Sequence, residues 1–485
     1  MKINYFETAV KHHKDGNWNK AKEIYEHILK QNPENFIVLQ NYGSLLAKLR
    51  EYKQAKNIFE KCLKIKPNDF LVLYNLGKFY QEMKIFDKAV SYYEKSYNIE
   101  PKKNLSMYNI GNIYLFQKKF DLAINAYQKS IKVNPENFLA HNNLAISYKN
   151  IGNFKKSLES YKNSLKKNNS SPDVHINYST QLLMFENFKE GFEEYEWRKK
   201  SKLFLDYINY SKLKLNSKLW SGENLDNKTI LIIAEQGIGD LIQFSRYLYL
   251  IKEKYNAKVI IYLKSKKFSH FFNKNEFNII AEGEPIPKHD YHNHLLSLLK
   301  IFFKENNLFY KPINFFQTNR DLQKKWSEKL KKYKGIKIGI NSSTSLTKKD
   351  IPLKYFIQLA LDLNFNFFII QKEIGNNDLK KISNKKNILY FPEIDTSNNA
   401  FDDSIEIIRN LDLIISADTA VAHLSATIGK KTLIPLPLVS DWRWFIDKSN
   451  SKWYENVTLY RQKKRDDWEE QFKLIKKDLI KLFSS

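Results

Sequence analysis

Apolar and polar positions along the first 200 residues recur with a period of 34 residues. Ala21, Ala55, Ala89 and Ala123 form one column, and Gly43, Gly77 and Gly111 a second. Tyr25, Phe59, Tyr93, Tyr127, Tyr161 and Tyr195 form a third, and Pro33, Pro67, Pro101 and Pro135 a fourth. Asn169 stands where the next proline would fall, and in the last unit Gly191 stands at the position of the alanine column. Small residues let two helices approach, the ring fills the gap between them, and a proline follows the helix that it cannot continue. The pattern predicts two antiparallel helices per unit and six units over residues 1–199.

From Thr229 onward, short β-rich apolar runs alternate with amphipathic stretches. Strands are expected at 229–234, 258–263, 277–281, 336–340, 366–370, 387–391, 412–416, 431–435 and 456–460. Helices are expected near 239–254, 292–303, 353–363, 402–410, 418–428 and 466–483. Alternating βα units imply parallel sheets covered by helices. Residues 200–227 read as a connector without periodicity. The stretch 304–334, with Pro312 and many lysines, separates two βα sets, leaving doubly wound halves at 228–330 and 335–485 with a cleft between them.

The 34-residue spacing resembles the tetratricopeptide repeat, a solenoid whose concave side binds other polypeptides. The remaining composition narrows the setting. No run of apolar residues approaches membrane-spanning length. The start, MKINYFETAVKHHKDG, is a charged amphipathic helix in repeat phase and not a secretory signal. Cys62 is the one cysteine, so disulfides within a chain are excluded and a reducing, cytoplasmic setting is expected. The net charge of +27 comes from 80 basic and 53 acidic residues, but the lysines are scattered among Asn, Ile, Tyr and Phe. A solvated basic surface is expected rather than nucleic-acid binding, with at most peripheral contact to a membrane.

Two segments carry candidate chemistry. Strand TILIIA leads into EQGIGD and then a helix. Gly237 and Gly239 permit a tight turn and close approach by a ligand, and Asp240 lands at the helix start on the carboxyl edge of the sheet. Asp240 either acts on a ligand or caps the helix. Strand LDLIIS ends at Ala417, where Asp418, Thr419, Ala420 and His423 open the next helix. A hydroxyl with free backbone N–H groups at a helix start suits a phosphate, and His423 lies one turn in. Alternatively Asp418 and Thr419 only cap the helix while His423 packs beneath it. The following loop, LPLVSDWRWFIDKSNSKWY, is dense in tryptophan, for stacking on a base or sugar or for filling a domain interface. Packing is the simpler reading from the residues alone. His289, His292 and His294, placed in a loop, match no closed metal site.

Residues 185–485 resemble the glycosyltransferase-like domain that follows tetratricopeptide repeats in bacterial proteins. That domain is similar to the ADP-heptose–lipopolysaccharide heptosyltransferases of the GT-B fold. The matching stretches are GFEEYEWR, AEQGIGDLIQFSRY, QKE, DLIISADTAVAHLSATIGK and SDWRWFIDKSNSKWY. The resemblance implies a tetratricopeptide solenoid followed by a GT-B-like domain of two Rossmann-like halves. It also implies that Asp240 is a catalytic base in the Gly237–Gly239 turn. Asp418, Thr419, Ala420 and His423 would then contact donor phosphates, with Asp441, Trp442 and Arg443 on the donor side. Lys348 and Lys349, ahead of Pro352, would neutralise the diphosphate. The stretch INSSTSLTKKDIP departs from the family in lacking its usual tryptophan, glycine and arginine. No metal or cofactor is expected, the nucleotide-sugar being a substrate.

The expected function is sugar transfer from that donor to an acceptor, a protein held in the repeat groove. The alternatives are a scaffold with a degenerate sugar-nucleotide domain, or a transferase acting on a lipid-linked saccharide. For the groove, Asn41, Asn75, Asn109, Asn143 and Asn177 recur with the repeat, an asparagine ladder able to bond a peptide backbone.

Overall fold

The computed structural model describes residues 5–103, 105–208, 213, 215–342, 351–372 and 374–483. The chain divides into two compact units, Met1–Val174 and His175–Ser485.

In the first unit, helices pair as the period predicts. The pairs are α1 (Tyr5–Lys14) with α2 (Trp18–Gln31), α3 (Phe36–Lys48) with α4 (Tyr52–Ile65), and α5 (Phe70–Glu82) with α6 (Phe86–Ile99). Then come α7 (Ser106–Phe116) with α8 (Phe120–Val133), and α9 (Phe138–Asn150) with α10 (Phe154–Lys167). The alanine and ring columns are buried. The glycine column explains itself in space. A Cβ on Gly77 would stand 2.5 Å from Cδ1 of Tyr93, and one on Gly111 2.5 Å from Cε1 of Tyr127. Gly77→Ala should therefore destabilise the chain even though alanine favours helix by about 1 kcal/mol. Overpacking against a buried ring costs about 1–3 kcal/mol. Urea unfolding of the full chain should show a lower midpoint, and an unchanged or higher one would contradict this packing.

Local signals punctuate each pair. Asn35, Asp69 and Asn137 cap α3, α5 and α9 by accepting backbone N–H bonds from the first turn. Between the helices of a pair the chain turns on a left-handed residue: Gly16, Arg50, Lys84, Lys118 or Gly152, with φ from 59° to 81°. At the first non-glycine example, the N–H of Arg50 donates to the Ala47 carbonyl at 3.0 Å and that of Glu51 to the Leu46 carbonyl at 2.9 Å. These bonds satisfy carbonyls that the helix end would leave open.

A sixth pair, α11 (Pro172–Met184) with α12 (Phe188–Tyr195), begins at the end of the first unit and lies mostly in the second, where α13 (Lys202–Ile208) follows it. Residues 200–227 are therefore more than a connector, since they supply α13 and also β1 (Lys218–Leu219). β1 joins β2 (Thr229–Ile233), β3 (Lys258–Leu263), β4 (Asn278–Ala281) and β5 (Tyr291–His294) in a sheet of order β1-β5-β2-β3-β4, parallel throughout. A second parallel sheet has the order β11-β10-β9-β6-β7-β8. Its strands are β6 (Lys337–Asn341), β7 (Asn366–Ile369), β8 (Ile388–Tyr390), β9 (Leu413–Ser416), β10 (Thr432–Leu436) and β11 (Val457–Arg461). Its core gathers Ile338, Ile340, Phe356, Leu413, Ile415 and Phe472.

Helices α14 (Ile238–Phe244), α15 (Arg246–Lys254), α16 (Leu298–Lys304) and α17 (Arg320–Lys331) accompany the first sheet and the crossing to the second. The later ones are α18 (Leu353–Asp362), α19 (Asn376–Ile382), α20 (Asp402–Arg409), α21 (Ala420–Ile428) and α22 (Glu469–Phe483). One expectation fails: the helix at 292–303 begins instead as interior strand β5, and helix resumes only at Leu298. The run Tyr-His-Asn-His shows no apolar alternation, so tertiary pairing with β1 and β2 decides its state. His292 and His294 accordingly lie on a strand and not in a loop.

Both sheets are doubly wound. In each, strand order reverses beside a central strand: between β2 and β5 in the first, and between β6 and β9 in the second. Such switch points open a crevice at the carboxyl ends of the strands. The turn after β2 and the turn after β9 both leave from those ends.

Candidate functional site

The turn after β2 runs through Ala234, Glu235, Gln236 and Gly237 into α14. Its left-handed residue is Gln236, with φ 65°, and neither glycine takes that role. Gly237 is the N-cap of α14, and its N–H donates to Oδ2 of Asp240 at 3.1 Å. Asp240 thus caps its own helix by reaching back from its third position, whereas the simpler reading expected it to be the N-cap residue itself. Its other oxygen pairs with the Arg443 guanidinium from the loop after β10, which also holds Asp441 Oδ1 at 2.6 Å. Burial disfavours the charge on Arg443, but Asp240 and Asp441 outweigh it and raise its pKa above the ordinary arginine value. Gly239 permits a close approach by protein, since a Cβ there would meet Cδ2 of His423 at 2.9 Å.

The turn after β9 caps α21 with Thr419, whose Oγ1 accepts the Val421 N–H at 3.2 Å. His423 is buried beneath the helix. Its ring stacks on Trp444 with centroids 5.3 Å apart and planes 13° apart, and its Nδ1 lies 3.2 Å from the Tyr454 hydroxyl. Asp418 is buried, while Ala420 is partly exposed. Asp441 caps the short turn Trp442–Trp444. Trp442 lies parallel to Phe244 at 6.4 Å and meets Tyr195 and Trp453 edge-on, so the tryptophans fill the seam between the halves. The seam brings Asp240, Gly239, Arg443, Asp441, Thr419 and His423 together. Lys348 and Lys349 lie outside the described residues.

Beside the Asp240 turn sits a buried ion network that the sequence reading did not assign. Arg198, directly after α12, donates through Nη2 to Glu235 Oε1 at 2.6 Å and through Nε to Oε2 at 3.2 Å. Its Nη1 reaches Glu196 Oε1 at 2.8 Å, and Nη2 also reaches Ser297 Oγ at 2.8 Å. The Leu296 N–H adds a bond to Glu235 at 3.0 Å. Burial resists ionisation of Glu196, yet Arg198 and Lys199 overcome it and bring its pKa to about 2. Burial and the same two cations hold His294 well below the usual histidine range, hence neutral. Tyr195, pushed up to about 12 by burial, keeps its proton and accepts a bond from Gln236 Nε2 at 2.8 Å. The signal was present: Arg198 and Glu235 are charges inside the otherwise apolar or motif-like runs EYEWR and LIIAEQ. What the sequence hides is the pairing across 37 residues.

The asparagine column divides between the units, with Asn177 in the second. All five members are partly exposed. Asn41 donates to the Ile37 carbonyl at 2.9 Å, Asn109 to the Tyr74 hydroxyl at 3.1 Å, and Asn143 to Asn112 Oδ1 at 2.9 Å. Part of the column therefore ties neighbouring repeats together. Among the described residues, no group of three or more His, Cys, Asp or Glu side chains is placed to hold a metal ion. Nor is any helix there long and apolar enough to cross a membrane.

These features define a helical-repeat chain joined to a doubly wound α/β unit. The repeats are tetratricopeptide repeats: family models described as tetratricopeptide repeat match residues 12–72 and 71–103, and one described as TPR repeat matches 111–152. No curated protein matches the chain. Among solved structures, the chain is similar to MamA, at 20% identity over 34% of this chain and 91% of that one, with a TM-score of 0.31. It is also similar to YrrB, described as a TPR protein with an unusual peptide-binding site, at 18% identity, 36% and 91% coverage, and a TM-score of 0.31. PilF of Pseudomonas aeruginosa matches at 18% identity, 43% and 96% coverage, and a TM-score of 0.38.

Proposed function

We propose that the second unit is a metal-independent glycosyltransferase of GT-B type, and that the repeats hold its polypeptide acceptor. One observation carries the reading. An acidic turn and a Thr-capped helix each leave a parallel sheet beside its switch point, and they meet at Gly239 and His423. In this reading Asp240 accepts the proton of an acceptor hydroxyl as its oxygen attacks the sugar's anomeric carbon and the nucleoside diphosphate departs. Arg443, the amino end of α21 and Lys348 with Lys349 offset the charge that develops on the departing phosphate.

The decisive experiment incubates the full chain with UDP-, GDP-, ADP- and CMP-sugars and follows release of nucleotide. Hydrolysis or transfer that disappears in Asp240→Asn supports the reading, and the absence of turnover with every donor removes it. A second reading, a sugar-nucleotide domain that binds without catalysis, is favoured by the engaged state of the site. Asp240 is paired with Arg443, and the Thr419 hydroxyl is occupied as a cap. Nucleotide binding without turnover would select it.

Thr419→Val separates phosphate contact from capping. Loss of the cap costs about 1 kcal/mol of stability. A lost hydrogen bond to a charged phosphate costs about 1.5–3 kcal/mol of affinity, a roughly ten- to hundredfold weakening. Calorimetry with the bound nucleotide reads the second effect alone, and an unchanged affinity would move the donor phosphates elsewhere.

A further inference from the structure

Away from the seam, a cavity of about 760 Å³ runs along the outer edge of the first sheet, beside edge strand β4. That volume lies in the range that holds small ligands. The cavity reaches Thr229, Lys258 and Asn278, the first residues of β2, β3 and β4. The switch-point crevice instead opens at the carboxyl ends, between β2 and β5. None of the seam residues Asp240, Thr419, His423 and Arg443 lines this cavity.

Its lining is cationic. Lys252 from α15, Lys258 from β3, Lys266 from the short helix Lys266–Phe271, and Lys274 and Lys288 from the loops before and after β4 stand against two carboxylates, Glu276 and Glu284. Both carboxylates are engaged within the protein. Glu284 accepts from Lys266 Nζ at 2.9 Å and from the Ala281 N–H at 2.9 Å, and Glu276 accepts from Asn273 Nδ2 at 2.9 Å. Lys252 donates to the Ala257 carbonyl at 3.1 Å. Lys258, Lys274 and Lys288 have no ion-pair partner among the described residues. On a chain of net charge +27 a single unmatched lysine is ordinary. Three of them from three segments, lining one concavity with Ile279 and Ile280 in its wall, focus positive potential on a bound ligand. The edge itself disfavours an added strand of polypeptide. The N–H and the carbonyl of Ala281 are both closed by Glu284, at 2.9 and 3.0 Å.

We propose that this cavity binds an anion carrying two phosphate groups, held by Lys258, Lys274 and Lys288. Lysine serves phosphate as a point charge, and two phosphates match three unmatched cations better than one. The site is independent of the transferase reading. Its ligand is either a soluble diphosphate or a lipid headgroup with two phosphates, and two probes separate these sources. Calorimetry of the full chain uses pyrophosphate, and co-sedimentation uses phosphatidylcholine vesicles containing cardiolipin. The comparison proteins are K258Q/K274Q/K288Q and a charge-matched control on α8 and α10 of the repeats, K129Q/K132Q/K155Q. All six lysines are exposed, so both variants should keep the wild-type melting profile. Wild type and control should bind at least one probe alike. The cavity variant should lose one site for that probe or bind it at least tenfold more weakly, as for lost hydrogen bonds to a charged group. A loss confined to pyrophosphate assigns a soluble ligand, and one confined to vesicles assigns a lipid headgroup. Equal weakening in both variants would reveal diffuse attraction to a basic surface and overturn the proposal. Unchanged affinity and stoichiometry in the cavity variant, or no binding of either probe by wild type, would overturn it as well.

Discussion

Under the proposed glycosyltransferase reading, Asp240→Asn is expected to eliminate sugar transfer, by roughly a hundred- to ten-thousandfold as for the loss of a positioned general base. The substitution is nearly isosteric, and its structural consequences are small. An asparagine oxygen can still accept the Gly237 N–H, so the amino end of α14 keeps its cap. Arg443 loses one carboxylate but retains Asp441 at 2.6 Å, so no bare cation is left in the seam. The variant should therefore melt with the wild type and bind nucleotide with similar affinity while failing to turn over. Turnover within a few-fold of wild type would strip Asp240 of the catalytic role and leave it a helix cap. Loss of nucleotide binding together with turnover would place Asp240 on the donor instead.

Arg198→Met should be the most damaging single change outside the seam. It leaves Glu235 and Glu196 without the cation that both of them share. Breaking a buried pair from one side costs about 3–5 kcal/mol, because the remaining charge stays desolvated. Removing the paired charge as well, in Arg198→Met with Glu235→Gln, should recover part of that loss. Denaturant unfolding of the three proteins reads both effects, and a loss below about 1 kcal/mol in the single variant would mean the network is solvated. The network also sets an acid limit. Glu196 has its folded pKa lowered from 4.5 to about 2, so its contribution is complete above 4.5 and disappears as pH falls from there toward 2. Wild type should lose stability across that window more steeply than Arg198→Met.

Much of the fold was legible because its signals are local or periodic. The repeat columns specify which residues are buried, and every strand except β1 and β5 begins and ends within a residue or two of the apolar run that announced it. What escaped depends on distant partners. β5 is polar in composition and becomes an interior strand only through β1 and β2. The left-handed turn residue recurs through the repeats, yet only Gly16 and Gly152 carry the residue type that advertises it. Arg50, Lys84 and Lys118 occupy the same conformation without a visible sign. At the site, the Gly-Asp turn and the Thr-capped helix were readable as helix starts. Their meeting at His423, and the Arg443 pair that occupies Asp240, required three dimensions. The tryptophans of the 436–454 segment pack in the seam, the simpler of the two readings their sequence offered.

The place of the sixth helical pair determines where this chain can be cut. A fragment begun at residue 200 would discard Tyr195, Glu196 and Arg198 and leave Glu235 facing an emptied pocket in the first sheet. A fragment begun near Pro172 keeps every member of that network. The same arithmetic applies to inheritance. Repeats ahead of Pro172 can be gained or lost in whole 34-residue steps without touching a partner of Arg198, whereas the last pair must travel with the α/β unit. Lineages that lengthen or shorten this array should therefore vary in the number of the early pairs and keep the final one.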